Sequence, residues 1–254
     1  MIPKKIHYCW FSGDAFPERV QKCIESWNHQ LPDYELILWD KAKAETIDIP
    51  WIQEALRQKK WAFAADAVRL YALYTDGGIY LDSDVEVLKS FDDILNRKYF
   101  FCHENGSRRI EAAVMGAEAN SPIISKALDF YRSNSFRYEE KLVDEWVIPN
   151  IMALALQDFE KETSSTIEVF SEDFFSPKSF TDGKINITGN TYCIHHFASS
   201  WRPKELQKSI ERRQLLYKKF PKPIAKILAS FLSIWTNLRI LGFSGTLKKI
   251  RNKI

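Results

Sequence analysis

Residues 61–88, WAFAADAVRLYALYTDGGIYLDSDVEVL, restrict the fold more than any other stretch of the chain. Segment 61–75 is rich in Ala and Leu and predicts a helix, stopped by Asp76-Gly77-Gly78 in the manner of a glycine C-cap. The apolar run IYLD then predicts a buried strand, followed at once by Ser83-Asp84. Upstream, KKIHYCWF and YELILWD predict strands. Between them, PERVQKCIESWNHQ predicts a helix, with Pro17 suited to a first turn and Val20, Ile24 and Trp27 at helical spacing. Downstream, KYFFCH, EAAVMGA, TIEVF and TYCIHHF predict strands, and residues 121–133 predict a helix. Strands alternating with helices predict an α/β sheet covered by helices on its faces.

The 254 residues suffice for one large domain, or one domain with an appendage. Formal charge is unevenly spread. From Arg202 onward there are 14 basic residues against 2 acidic ones, whereas residues 1–201 hold 22 basic against 31 acidic. Two parts so differently charged rarely serve one partner, so a main domain over 1–202 and a basic helical tail over 203–254 are expected. Cys9, Cys23, Cys102 and Cys193 form no C-x-x-C pair, which argues against a zinc ribbon or disulfide framework and fits a reducing compartment. The opening MIPKKIHYCWF has no apolar core of signal-peptide length, so a cytoplasmic location is expected.

Asp82 and Asp84 have two readings on the residues alone. They are the solvated face of a strand end, or a pair of oxygen ligands. Side chains two apart in an extended segment share a side, so both carboxylates can converge on one hard cation such as Mg²⁺ or Mn²⁺. The apolar IYL before them places the pair at the C-terminal end of a strand, where open α/β sheets bind ligands. Asp66 and Arg69 sit three apart on one face of the preceding apolar helix. That spacing favours an intrahelical ion pair, although an Arg at the mouth of a metal site also suits diphosphate oxygens. A third cluster, CIHHFASSW, contributes His195, His196, Ser199 and Trp201. Neighbouring strand residues face opposite sides, so only one of the two histidines can reach a given ion.

Three blocks, IPKKIHYCWFSG, AFAADAVRLYALYTDGGIYLDSDVEVLKSFDDIL and HHFASSW, resemble glycosyltransferase family 32, the DXD-containing sugar transferases of the capsular-polysaccharide and Och1-like type. They are more distantly similar to the glucosylating clostridial toxins. The resemblance implies a GT-A fold, a Rossmann-like mixed sheet that binds a nucleotide sugar with Mn²⁺ or Mg²⁺ bridging protein and diphosphate. It implies that Trp10 stacks on the nucleotide base, that Asp66 meets the ribose or base edge, and that Arg69 meets sugar or phosphates. Asp82 would touch ribose and metal-bound water, Asp84 would ligate the metal directly, and Tyr80 would line the sugar pocket. His196 takes the position of the third metal ligand, with His195 as its alternate. Ser199 and Trp201 would close over the diphosphate. The family is retaining, so transfer with the donor's α configuration kept is implied. The donor expected first is a UDP-sugar, galactose or an N-acetylhexosamine among them, with GDP-mannose as the alternative.

Between about 100 and 190 the likeness fades, and acceptor recognition is assigned there to Glu104, Asn105, Asp144 and Glu145 as partners of sugar hydroxyls. In the tail, Ile224, Ile227, Leu228, Phe231, Leu232, Trp235, Leu238 and Leu241 follow helical spacing between basic flanks. Such an amphipathic helix suits an anionic bilayer surface, and Lys226 and Arg239 argue against a spanning helix. Packing on the domain, or against a second helix, is the competing reading. No nucleic-acid recognition motif accompanies the charge. A polyprenyl-diphosphate-linked glycan acceptor at the inner face of a bacterial plasma membrane is therefore expected. Outside this class stand a phosphohydrolase or nucleotidyltransferase, which would gather more acids for two metals, and a non-catalytic membrane- or carbohydrate-binding protein. The lack of G-x-x-x-x-G-K-[ST] argues against a kinase or P-loop enzyme.

Overall fold

The computed structural model describes residues 1–107, 109–138, 146–198 and 204–251. Its contacts divide the chain into two compact units, one of residues 1–178 with 186–197, the other of residues 179–185 with 198–254.

In the first unit the strands are β1 (Lys5–Trp10), β2 (Glu35–Asp40), β3 (Gly78–Leu81), β4 (Val85–Val87), β5 (Tyr99–Phe100), β6 (Val114–Ala117) and β7 (Cys193–His195). Its helices are α1 (Glu18–Gln30), α2 (Lys41–Glu45), α3 (Pro50–Arg57), α4 (Trp61–Asp76), α5 (Pro122–Ser133) and α6 (Ile148–Thr163). Five strands form one mixed sheet in the order β2-β1-β3-β6-β5. The β1–β2 and β1–β3 pairs are parallel, while β3–β6 and β5–β6 are antiparallel. A separate antiparallel pair joins β4 to β7. The α/β sheet flanked by helices is the architecture expected from the sequence.

Successive residues of β3 feed two cores. Tyr80 packs in a cluster with Trp51, Leu73, Leu128 and Met152, whereas Ile79 and Leu81 pack with Trp27, Phe91, Phe100 and Phe175 on the opposite side. The strand is buried on both faces, which explains its unbroken apolar sequence. Between α4 and β3, Gly77 and Gly78 adopt φ of +63° and +113°. A Cβ on Gly78 would lie 2.7 Å from the Lys5 carbonyl oxygen, so only glycine lets β3 start this close to β1.

Several expectations give way to the structure. TIEVF forms no strand, and only Phe170 makes an isolated bridge, to Cys102. KYFFCH shortens to two strand residues. No element is predicted over residues 148–163, which form α6. Its buried Ile148, Ile151, Met152, Ala155 and Leu156 follow helical spacing behind Pro149 in the first turn. All four cysteines are free and buried.

The second unit contains α7 (Lys204–Lys219) and α8 (Lys222–Arg251), the latter interrupted by non-helical Gly242. The two helices form an antiparallel hairpin, with the Ser209 and Thr236 hydroxyls hydrogen-bonded at 2.8 Å. Ala225 and Ala229 are buried, while Ile227, Phe231 and Trp235 on α8 are 57%, 67% and 63% exposed. No helix among the described residues is long and apolar enough to cross a membrane.

His7 joins three elements of the sheet layer. Trp39 Nε1 donates to its Nδ1 at 3.1 Å, and its Nε2 donates to the Gly77 carbonyl at 2.9 Å. This fixes the neutral tautomer, and burial pushes the imidazole below its ordinary value of 6.5 against the opposing Gly77 contact. Below pH 6.5 the unfolded chain therefore takes up a proton that the folded chain refuses. The His7 contribution to stability is full above that pH and is lost as the pH falls toward the folded value. Urea titrations will show the wild type losing its advantage over His7→Asn on acidification from pH 7 to about 5, by ~1.4 kcal/mol per unit of depression. An unchanged difference between the two proteins would refute this role.

Candidate active site

The carboxylate pair sits where β3 hands over to β4. Asp82 is tied by its amide to the Ala113 carbonyl at 2.9 Å, and the Val85 amide returns to the Asp82 carbonyl at 3.0 Å. Asp82-Ser83-Asp84-Val85 is thus a tight turn rather than the extended segment assumed from the sequence. Trp27 holds the far side of this turn, its indole N–H donating to the Val85 carbonyl at 2.7 Å.

The β4–β7 pair brings the distant histidines in. Val85 is in register with His195, and the His196 amide donates to the Asp84 carbonyl at 3.1 Å. His195 Nε2 lies 3.5 Å from Asp84 Oδ1, and its Nδ1 lies 3.1 Å from Glu111 Oε1. His196 faces the other way, its Nε2 2.8 Å from Glu86 Oε2. The imidazole that meets the acids is therefore the one the family position held as alternate. The reason is the alternation of side chains along β7. Ligating atoms of Asp82, Asp84 and His195 all lie within 4.8 Å of one another. Two carboxylates and an imidazole at that spacing match the donor set of a hard to borderline divalent cation, whose bonds are about 2.0–2.2 Å long.

Arg69 fixes the other end of the cluster. Its Nη2 lies 2.9 Å from Asp66 Oδ1 and 3.3 Å from Asp82 Oδ1, its Nη1 donates to the Ala112 carbonyl at 2.7 Å, and its Nε donates to the Ala65 carbonyl at 3.3 Å. The guanidinium carbon lies 4.5 Å from the Tyr80 ring centre, and the Tyr80 hydroxyl donates to Asp82 Oδ1 at 2.9 Å. All three arginine nitrogens are engaged by protein oxygens. The intrahelical Asp66–Arg69 pair read from the sequence is present, and it extends to the first aspartate of the DXD turn.

Burial sets the electrostatics. It drives Asp66 up to about 7 against the pull of Arg69, and it raises Asp82 as well. For Arg69 burial works against the charge, but Asp82, Tyr80 and Asp66 outweigh it and keep the guanidinium protonated. Burial likewise opposes an imidazolium at His195, and Glu111 and Asp84 overcome it, raising the group well above its ordinary value. Four carboxyl groups, those of Asp66, Asp82, Asp84 and Glu111, thus gather around Arg69 and His195 at low exposure, and a bound cation would offset their mutual repulsion.

Glu111 escaped the sequence reading. It is 4% exposed, accepts from Ser176 Oγ at 2.7 Å and faces His195, so it orients the ring whose other nitrogen points to Asp84. The only sequence signal was a carboxylate leading into the apolar run AAVMGA. Trp10 ends β1 half-buried, its indole N–H donating to the Asp14 carbonyl at 2.8 Å and its ring edge-on to Phe16. Glu104 pairs with Arg109 at 2.6 Å, and the Asn105 amide reaches Ser176 Oγ at 3.4 Å, which links this loop to Glu111. Asp144, Glu145, Ser199 and Trp201 lie outside the described residues.

Mn²⁺ titration by calorimetry separates these roles. His195→Ala is expected to abolish binding, Glu111→Gln to weaken it about 10- to 100-fold with the fold intact by circular dichroism, and His196→Ala to change it by less than about threefold. Equal loss from both histidines would refute the assignment.

Residues 17–101 match the family described as "Glycosyltransferase sugar-binding region containing DXD motif". The chain is 31% identical over 144 residues to mannosyl phosphorylinositol ceramide synthase CSH1 of Saccharomyces cerevisiae, covering 53% of this chain and 37% of that protein. It is 32% identical over 141 residues to inositol phosphoceramide mannosyltransferase 3 of Schizosaccharomyces pombe, covering 54% and 39%. The chain thus spans less than two fifths of the length of these relatives. Among solved structures, PaToxG glycosyltransferase superposes with a TM-score of 0.51 at 21% identity, over 62% of this chain and 70% of that one. That likeness bears on the fold, which is of the GT-A type expected. The match over residues 17–101 takes in the DXD turn and β3, the strand that leads into it, so the segment that carries the candidate site is the one that is similar to the sugar-binding region of DXD glycosyltransferases.

Proposed function

We propose that the chain is a retaining, divalent-cation-dependent glycosyltransferase that moves a hexose from a nucleotide sugar to a glycan acceptor. The observation that carries this reading is the convergence of Asp82, Asp84 and His195 beside the Arg69 clamp, at the end of β3. Asp82, Asp84 and His195 would hold Mn²⁺ or Mg²⁺, which when bound supplies positive charge for the departing diphosphate. Arg69 and Tyr80 hold Asp82 in its rotamer, and Glu111 holds His195, so the ligands are set before the donor arrives. Trp10 offers its ring to the base, Asp66 a carboxyl to the ribose or base edge, and Ser199 and Trp201 a closing contact on the phosphates. Glu104 and Asn105, with Asp144 and Glu145, are assigned to the acceptor.

For the reaction we favour same-face displacement. The acceptor hydroxyl oxygen bonds to the anomeric carbon as the bond from that carbon to the diphosphate breaks. The hydroxyl proton passes to the departing phosphate oxygen. A UDP-sugar is the donor that the resemblance suggests, whereas the mannosyl names of the two yeast relatives favour mannose, for which GDP-mannose is the alternative donor. Those relatives' names also support a lipid-linked acceptor. Transfer is assigned to residues 1–202, and residues 203–254 are assigned to an anionic membrane surface at the cytoplasmic face. The exposed Ile227, Phe231 and Trp235 between basic flanks support that second assignment.

A screen of nucleotide sugars with Mn²⁺, read by thermal stabilisation and by release of nucleotide, tests the class. One donor is expected to stabilise the wild type and to be hydrolysed slowly, with both effects lost in Asp84→Ala and the product retaining the α configuration. Stabilisation that persists in Asp84→Ala would refute the metal-held donor. For the tail, Phe231→Ser with Trp235→Ser is expected to cut co-sedimentation with phosphatidylglycerol vesicles at least fivefold, and unchanged binding would refute membrane attachment through this face.

A further inference from the structure

The helical hairpin of the second unit contains a cavity of about 350 Å³ that the transferase reading does not use. From α7 it is lined by Arg213 and Tyr217, and from α8 by Lys226, Ser230, Ser233 and Asn237. The α8 residues recur at intervals of four, three and four, so they form a single polar stripe on one face of the helix. Phe180 and Ile234 supply an apolar wall. At this volume the cavity falls at the lower end of the range that holds small organic ligands.

Its polar groups can all donate, and the two charged ones, Arg213 and Lys226, can do nothing else. Arg213 Nε is buried and has no hydrogen-bond partner among the described residues. Burial also pulls this guanidinium below the ordinary arginine range, and the Tyr217 phenol is the group that opposes the shift. Lys226 makes no ion pair among the described residues. Ser230 uses its proton on the Lys226 carbonyl at 2.8 Å, which leaves Thr181, Tyr217, Ser233 and Asn237 as the neutral groups able to donate. The acids of this unit are engaged or exposed elsewhere. Asp182 accepts from the Lys184 amide at 3.1 Å and is further stabilised by Lys184 and Lys222, and Glu205 and Glu211 are exposed on α7. No carboxylate lines the cavity among the described residues.

A buried guanidinium N–H with no acceptor destabilises the fold unless a ligand supplies one. Two cations, several hydroxyls and an amide around a space without acids match a tetrahedral oxyanion, and arginine's planar fork suits phosphate in particular. We propose that the α7–α8 hairpin binds a phosphate group, free or esterified, in the cavity between Arg213 and the Lys226–Asn237 stripe. This site is independent of the donor diphosphate, and it stands whether or not the transferase reading does.

The test uses the full chain in EDTA, in the Asp84→Ala background, so that no metal-held phosphate contributes. Calorimetry with inorganic phosphate is expected to give one saturable site, weakened at least tenfold by Arg213→Gln and at least threefold by Lys226→Gln. Lys222→Gln, outside the cavity, is expected to leave it unchanged. A second arm uses neutral phosphatidylcholine vesicles with and without phosphatidic acid. Arg213-dependent binding to phosphatidic acid that inorganic phosphate displaces identifies a lipid headgroup as the source, and its absence alongside saturable phosphate binding identifies a soluble one. Both results support the site. Failure of the wild type to bind in both arms, or equal binding by Arg213→Gln, overturns it.

Discussion

The close approach of Gly78 to β1 governs everything built above it. With a Cβ there, the Lys5 carbonyl oxygen would be 2.7 Å away, and at Gly77 the Ala119 amide nitrogen would be 2.6 Å away. Both residues also hold positive φ, which costs an ordinary L-residue about 1–2 kcal/mol. Because the corner is this tight, α4 lies directly against the strand it feeds. Arg69, two turns before the corner, can then reach Asp82, which lies just beyond the end of β3. A looser connection would separate the guanidinium from the carboxylate and leave both charges buried without partners, a strongly destabilising state.

That geometry explains an arrangement otherwise hard to justify energetically. Asp66, Arg69, Asp84 and Glu111 are each under 9% exposed, and desolvation penalises every one of their charges. They persist because each has a partner: Arg69 bridges Asp66 to Asp82, and Glu111 is met by His195, Ser176 and the Ala113 amide. Two buried networks thus converge on the DXD turn from opposite sides. Each restrains a residue of the candidate metal cluster, Asp82 from one direction and His195 from the other. Rigidity of this kind is what preorganised electrostatic stabilisation requires, since groups that reorient during reaction lose part of what they contribute.

How much of this was legible in the sequence depended on whether the signal was local. The α4 helix, the glycine corner and the apolar β3 announce themselves within 28 residues, and the Asp66–Arg69 pair follows from helical spacing. The shape of the DXD segment did not, because a turn closed by the Asp82 carbonyl and the Val85 amide leaves no periodic trace in three residues. Choosing between His195 and His196 needed the register of β7 on β4, a pairing across more than a hundred residues. Glu111 was hidden for the same reason: its partners His195 and Ser176 are 84 and 65 residues away. The α6 helix is a different failure: its buried positions repeat with helical period, a local signal that the sequence reading passed over.

The α8 helix shows why apolar periodicity alone cannot name a core face. Ile224, Ile227, Phe231 and Trp235 carry the strongest hydrophobic signal of the tail, yet they are 48%, 57%, 67% and 63% exposed. The seam against α7 is made instead by small residues, with Ala225 and Ala229 buried and Thr236 bonded to Ser209. Small side chains allow two helices to approach closely, so they take the inside of the hairpin and turn the large ones outward. A third face, from Lys226 to Asn237, lines the donor-rich cavity. One helix therefore presents a packing face, an apolar face and a cation-bearing face at once. Only the first of these is satisfied within the hairpin itself, and the other two are the surfaces on which an outside partner gains most.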